Sequence, residues 1–115
     1  VEYIETLLPT VPDGFVMGEP VVFEDDVSGG IEYCVSFISE ANYITFSAVE
    51  QYNDNMSKYQ KDYQDVRIIH IDGQNFYLFM NNGYASAAWR LSNLECNINS
   101  DLALEELTQI IVNSY

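Results

Sequence analysis

His70 is the one side chain in the sequence whose ordinary titration falls near neutral pH. A general base also needs a nucleophile or an orienting group within reach. Strand alternation turns His70 away from the apolar face, opposite Asn75 and near Asp72, and neither neighbour fills that role. It reads as a surface histidine. Cys34 and Cys96 are the only cysteines. With His70 they fall short of the four ligands of a structural zinc site, and two cysteines make no disulfide framework. By register they point to opposite sides of one sheet, so both are expected as free thiols.

Two segments carry denser chemistry. "FEDDVSGG", residues 23–30, sets Glu24, Asp25 and Asp26 before a glycine turn. Oxygen clusters suit hard cations, but the alternating ligands and later Glu of an EF-hand loop are missing, so a solvated hairpin turn is expected. "QYNDNMSKYQKDYQD", residues 51–65, is the second. Tyr52, Met56, Tyr59 and Tyr63 recur at helical spacing, with Lys58 and Lys61 between them. The segment is either a short amphipathic helix or a long connector, and tyrosines amid mixed charge suit a recognition surface. The candidate binding residues are therefore Tyr52, Tyr59, Lys61, Tyr63, Asp25 and Asp26. Asn55-Met56-Ser57 matches a glycosylation sequon, which matters only in a eukaryotic secretory setting. No Gly-rich phosphate loop, Ser-His-Asp set or Cys-His spacing is present, and no cofactor is called for. A carboxylate hydrolase would need two acids facing across a cleft, one with a raised pKa, and no pair stands out.

The charge balance restricts partners. The chain carries 18 acidic and 4 basic side chains, a net charge of −14. Residues 1–57 hold eleven acids and no Lys or Arg. Such a surface repels phosphate backbones and anionic lipid, so nucleic acid is excluded as a partner and a cationic partner fits better. Solubility alone accounts for the same charge. No segment approaches the ~20 apolar residues of a membrane span, and no signal peptide is visible. The chain begins at Val1 rather than Met, so it is read as a trimmed fragment whose membrane anchor, if any, lies upstream.

The 115 residues suffice for one domain that buries roughly two-thirds of its unfolded surface. "LLPTVPDGF" opens it as an extended segment and a turn, with Pro12 suited to the turn's first φ angle. Strands are expected at 15–23, 30–39, 42–51, 65–72, 74–81, 84–92 and 94–99, and a helix at 101–115. Asp72-Gly73, Asn82-Gly83 and Ser92-Asn93 make two-residue turns. They set Ile69 opposite Phe76, Leu78 opposite Ala87 and Trp89 opposite Cys96, collecting one apolar face. Three separately chosen turns agree on that face. On the other face Arg90 opposes Glu95 as an exposed structural pair. A turn at Glu40-Ala41 gathers Tyr33, Val35 and Phe37 with Ile44, Phe46 and Ala48, leaving Cys34 beside Ser47. Leu104, Leu107, Ile110 and Ile111 form the helix's apolar stripe. If the helix starts at Leu104, its cap position holds Ala103, a residue with no acceptor; Ser100 or Asp101 would cap a longer helix.

"LPTVPDGF", "VRIIHIDGQNFYLF" and "AAWRLSNLECNINSDLALEELTQIIVNS" together resemble domain-of-unknown-function family 4367. The positions that carry the likeness are Pro12, Gly14 and Phe15, then Ile69, Ile71 and Gly73, then Trp89, then Leu104 to Leu107. The resemblance implies an extracytoplasmic domain of a membrane-anchored Gram-positive bacterial protein, in some relatives joined to anti-sigma-factor-like regions. It also implies a distant likeness to the curved sheets of lipoprotein carriers, and no catalytic residue.

The expectation is thus one α+β domain spanning 1–115, a curved antiparallel meander of six to seven strands packed on a C-terminal helix. Its expected role is that of a non-enzymatic, cell-surface sensing or binding module with an unidentified protein partner. The alternative is a carrier that holds a lipid or other apolar ligand between sheet and helix, with Ala85, Ala87 and Ala88 leaving room.

Overall fold

The structure, a computed structural model, describes residues 2–24, 30–50 and 64–115. It is an α+β fold: an open antiparallel sheet whose one face is covered by a C-terminal helix. The elements run α1 (Glu2–Glu5), β1 (Val16–Met17), β2 (Val21–Glu24), β3 (Ile31–Ile38), β4 (Tyr43–Glu50), β5 (Gln64–Ile71), β6 (Gln74–Asn81), β7 (Tyr84–Leu91), β8 (Leu94–Ser100) and α2 (Leu104–Ser114).

The three expected turns close as read. Ile71 faces Gln74, Met80 faces Ala85 and Leu91 faces Leu94. Asp72 and Gly73 lie at φ 50° and 79°, and Asn82 and Gly83 at 53° and 84°. Left-handed angles at both positions match the right-handed twist of the flanking strands. Ser92 also lies at φ 55°, a conformation that costs an L-residue roughly 1–2 kcal/mol. The Glu40-Ala41 turn holds as well: Phe37 pairs with Ile44 and Cys34 with Ser47.

Sheet order adds what single hairpins leave open. The order is β1-β3-β4-β8-β7-β6-β5, with β2 beside β1 on the same side of β3. The β3–β4 hairpin therefore docks on β8, and β5 lies at the far edge. Val49 faces Glu95, Phe46 faces Ile98 and Ile44 faces Ser100 along this seam.

Alternation then builds one core. Tyr33, Ile44, Phe46, Leu78, Ala87, Trp89, Cys96 and Ile98 are essentially unexposed on a single face. The helix α2 packs on β6 and β7 with Leu104, Leu107, Ile110 and Ile111 inward. Trp89 sits at the centre, its ring 5.0 Å from both Phe76 and Tyr115 and 6.2 Å from Phe46. The N-terminal segment covers the remainder. Ile4 is fully buried, and Leu7, Leu8, Val11 and Phe15 pack against the same cluster. The Tyr115 hydroxyl donates to the Leu7 carbonyl at 2.6 Å, and the Thr10 N–H donates to Ser114 Oγ at 2.8 Å.

Several expectations are corrected. Residues 15–23 form two short strands rather than one. Between Met17, opposite Phe37, and Val21, opposite Cys34, four residues advance against three on β3. Gly18 fits here because an added Cβ would lie 3.3 Å from the Ser36 carbonyl, which accepts the Gly18 N–H at 2.8 Å. Pro20 supplies no donor and sits in the interruption just before pairing resumes at Val21. The first turn closes one residue later than expected: the Pro12 carbonyl accepts from the Phe15 N–H, and Gly14 takes φ 98°. The helix α2 begins at Leu104, not at 101. Asp101 instead accepts from the Tyr43 N–H at 2.9 Å and from Asn42 Nδ2 at 3.3 Å, tying the β3–β4 turn to the end of β8. Ser100 Oγ donates to the Ala85 carbonyl. Arg90 does oppose Glu95, but Glu95 is buried at 1% exposure rather than solvated. Its strand lies inside the sheet, with Val49 on its other side.

Candidate functional site

The six residues singled out for binding, Asp25, Asp26, Tyr52, Tyr59, Lys61 and Tyr63, lie outside the described residues, as does the Asn55 sequon. His70 is exposed on β5 opposite Asn75, with no nucleophile beside it among the described residues. No group of three or more His, Cys, Asp or Glu side chains is placed to hold a metal ion among the described residues. No helix of the described residues is long and apolar enough to cross a membrane.

Both thiols are free. Cys96 is fully buried under α2, and burial, with the Glu95 charge adding, pushes its thiol up to about 12. Cys34 is partly exposed on the opposite face, and burial with the nearby Glu32 charge raises its pKa too. A thiol held protonated is a poor nucleophile and a poor metal ligand, so neither site is built for thiol chemistry. Tyr33 is fully buried beneath the N-terminal segment. Burial raises its phenol, and the Glu5 charge adds to the shift.

The distinctive surface is the sheet edge formed by β1 and β2. Among the described residues β2 pairs only with β3, so the other side of its backbone faces outward. All four of its residues are exposed. Val16 is 71% exposed, Phe23 58%, Ile38 56%, and Val21 and Val22 47% each. The register puts Val16, Ile38, Val21 and Phe23 on the face away from α2, and Met17 and Val22 on the helix side. Scattered apolar residues at a surface are ordinary, whereas a run of them along an unpaired edge marks an interaction site; the far edge, β5, also exposes two, Val66 at 51% and Ile68 at 52%.

The edge lies in an acidic setting. Glu19 precedes β2 and Glu24 ends it. At that end a depression of about 250 Å³ is bordered by Phe23, Gly30, Ile31 and Val49 and by three glutamates, Glu24, Glu32 and Glu50. Sequence reasoning read 15–23 as an ordinary strand and missed this edge. Pro20 inside the run was the available signal, since proline in a strand belongs to edges.

Residues 6–113 match the profile of a family described as a domain of unknown function, DUF4367. No curated protein matches the chain. No solved structure matches it either.

Proposed function

The chain belongs to the DUF4367 family, and from that premise we propose that it is a non-enzymatic binding or sensing module carried on the outer side of a membrane-anchored, Gram-positive regulatory protein of the anti-sigma-like kind. The observation that carries the reading is the exposed apolar edge of β1 and β2, where Val16, Met17, Val21, Val22 and Phe23 lie together at the surface. A surface of this kind costs solubility unless something covers it, and the charge of −14 keeps it dispersed meanwhile.

The carrier reading draws less support. It needs room between sheet and helix, and that space is filled: Ala85 and Ala87 on β7 and Leu107 and Ile111 on α2 all have 0% exposure. The alanines admit the helix closely rather than a ligand.

The test is placement of the domain in the native full-length protein. Cells stripped of their wall are treated with a protease that cannot enter them, and the membrane fraction is probed for this domain. Loss of the domain with retention of a membrane-bound remnant is expected. A domain protected until the membrane is ruptured would overturn the reading.

A further inference from the structure

We propose that the outer edge of β1 and β2 takes up an extended, basic, partly apolar peptide as an added β-strand. The proposal rests on the binding-module reading, and the two fail separately: protease treatment tests which side of the membrane the domain occupies, whereas peptide binding tests the edge itself.

Three observations lead here. The first is the backbone. The residues of β2 turn one row of N–H and C=O groups toward β3, and among the described residues nothing pairs with the other row; an unpaired row is the template for strand addition. The second is the side chains. Val21 and Phe23 alternate with Val22 across the edge, so an added strand meets apolar contacts on both faces. Edges exposed this far are usually blunted by lysine. Here the first Lys or Arg of the chain is Lys58.

The third observation is charge, which selects the occupant. Residues 1–50 contain only acids among their charged side chains, and Glu19 and Glu24 flank β2. A second copy would set the same carboxylates against each other within a pair carrying −14 each. An acidic peptide meets the same repulsion. A peptide alternating apolar and basic residues satisfies backbone, side chains and charge together.

The experiment titrates the full chain with a short synthetic peptide that alternates valine and lysine, followed by calorimetry. Binding is expected, and it weakens as salt rises. Replacing the peptide's valines by proline keeps its charge and denies strand pairing, and weakens binding at least about tenfold. The protein variant Val21→Asp with Phe23→Asp gives a similar loss, although it adds two negative charges. Simple charge attraction predicts the opposite sign for that variant. Val21→Thr with Phe23→Thr keeps strand propensity and gives a smaller loss in the same direction; Trp89 fluorescence verifies the fold in every case. Equal binding of the proline peptide, or unchanged or tighter binding by the Asp variant, would overturn the proposal. So would a dimer in sedimentation that the same substitutions dissolve, because the edge would then belong to a second copy.

Discussion

Single residues in this domain are set by burial more than by partners. Cys96 shows how that reads out in pH. Its thiol is pushed up to about 12 in the fold, while a thiol in the unfolded chain titrates near 8.5. The folded state holds its proton longer, so stability is complete below the unfolded value and falls as pH rises toward the folded one. Tyr115, whose phenol is also raised by burial and by Cys96, adds to the same loss at the upper end. Thermal melts should therefore lose midpoint between about pH 9 and 11. Cys96→Ala should start from a lower midpoint, through its cavity, yet fall less over that window. An equal fall in both proteins would assign the loss elsewhere. At this scale the sequence was easy to read, because register follows from turns: Trp89 beside Cys96, Cys34 beside Ser47 and two free thiols all follow from alternation. Glu95 was misread for the same reason. Pairing with Arg90 is a local fact, but burial depends on which strand lies on the other side.

Elements differ in how far their own residues determine them. The helix α2 has a strong apolar stripe and a weak start. Ala103 is extended at φ −67° and ψ 151° and makes no side-chain cap, while Glu106 reaches back to its N–H at 3.4 Å. Half of a capping box is thus in place. Ala103→Ser adds the missing acceptor and should raise stability by roughly 0.5–2 kcal/mol. The check is a denaturant midpoint; no rise with an unchanged slope would mean that the first turn is already satisfied. Glu105 in the same turn is held below the usual carboxylate range by its backbone hydrogen bond and by Arg67 of β5 at 3.3 Å, an exposed pair. The four hairpin turns and α2 were legible because each is specified within a few residues. The four-residue α1 was not, since so short a helix has no propensity of its own. Its Ile4 is held by the core.

The whole molecule is where sequence reading stopped. Nothing local reveals that β4 lies beside β8, because the pairing joins segments as far apart as Ile44 and Ser100. The open edge follows from that order, and Pro20 was its one local signal; that Val16–Met17 and Val21–Glu24 flank an interruption and share one side of β3 is a property of the assembled sheet. The seam also has a temporal side. Hairpins β5 to β8 close through turns of two residues, whereas β4 must find β8 across a long stretch of chain that includes three other strands, and distant pairings form late. Ile44→Val at the seam should mainly speed unfolding, at a cost of about 0.5–1.5 kcal/mol, and Leu78→Ala on β6, which faces Arg67 and Ala87 and lies off the seam, should slow folding, at a cost of about 2–5 kcal/mol. Stopped-flow folding and unfolding rates separate the two; a slowed folding arm for Ile44→Val would reverse the order. A consequence follows for synthesis. The acidic half emerges first from the ribosome, and its hairpin must wait, one side unpaired, until β8 has emerged. During that interval β4 offers a vacant edge of its own, so this domain meets its greatest risk of mispairing before its last third exists.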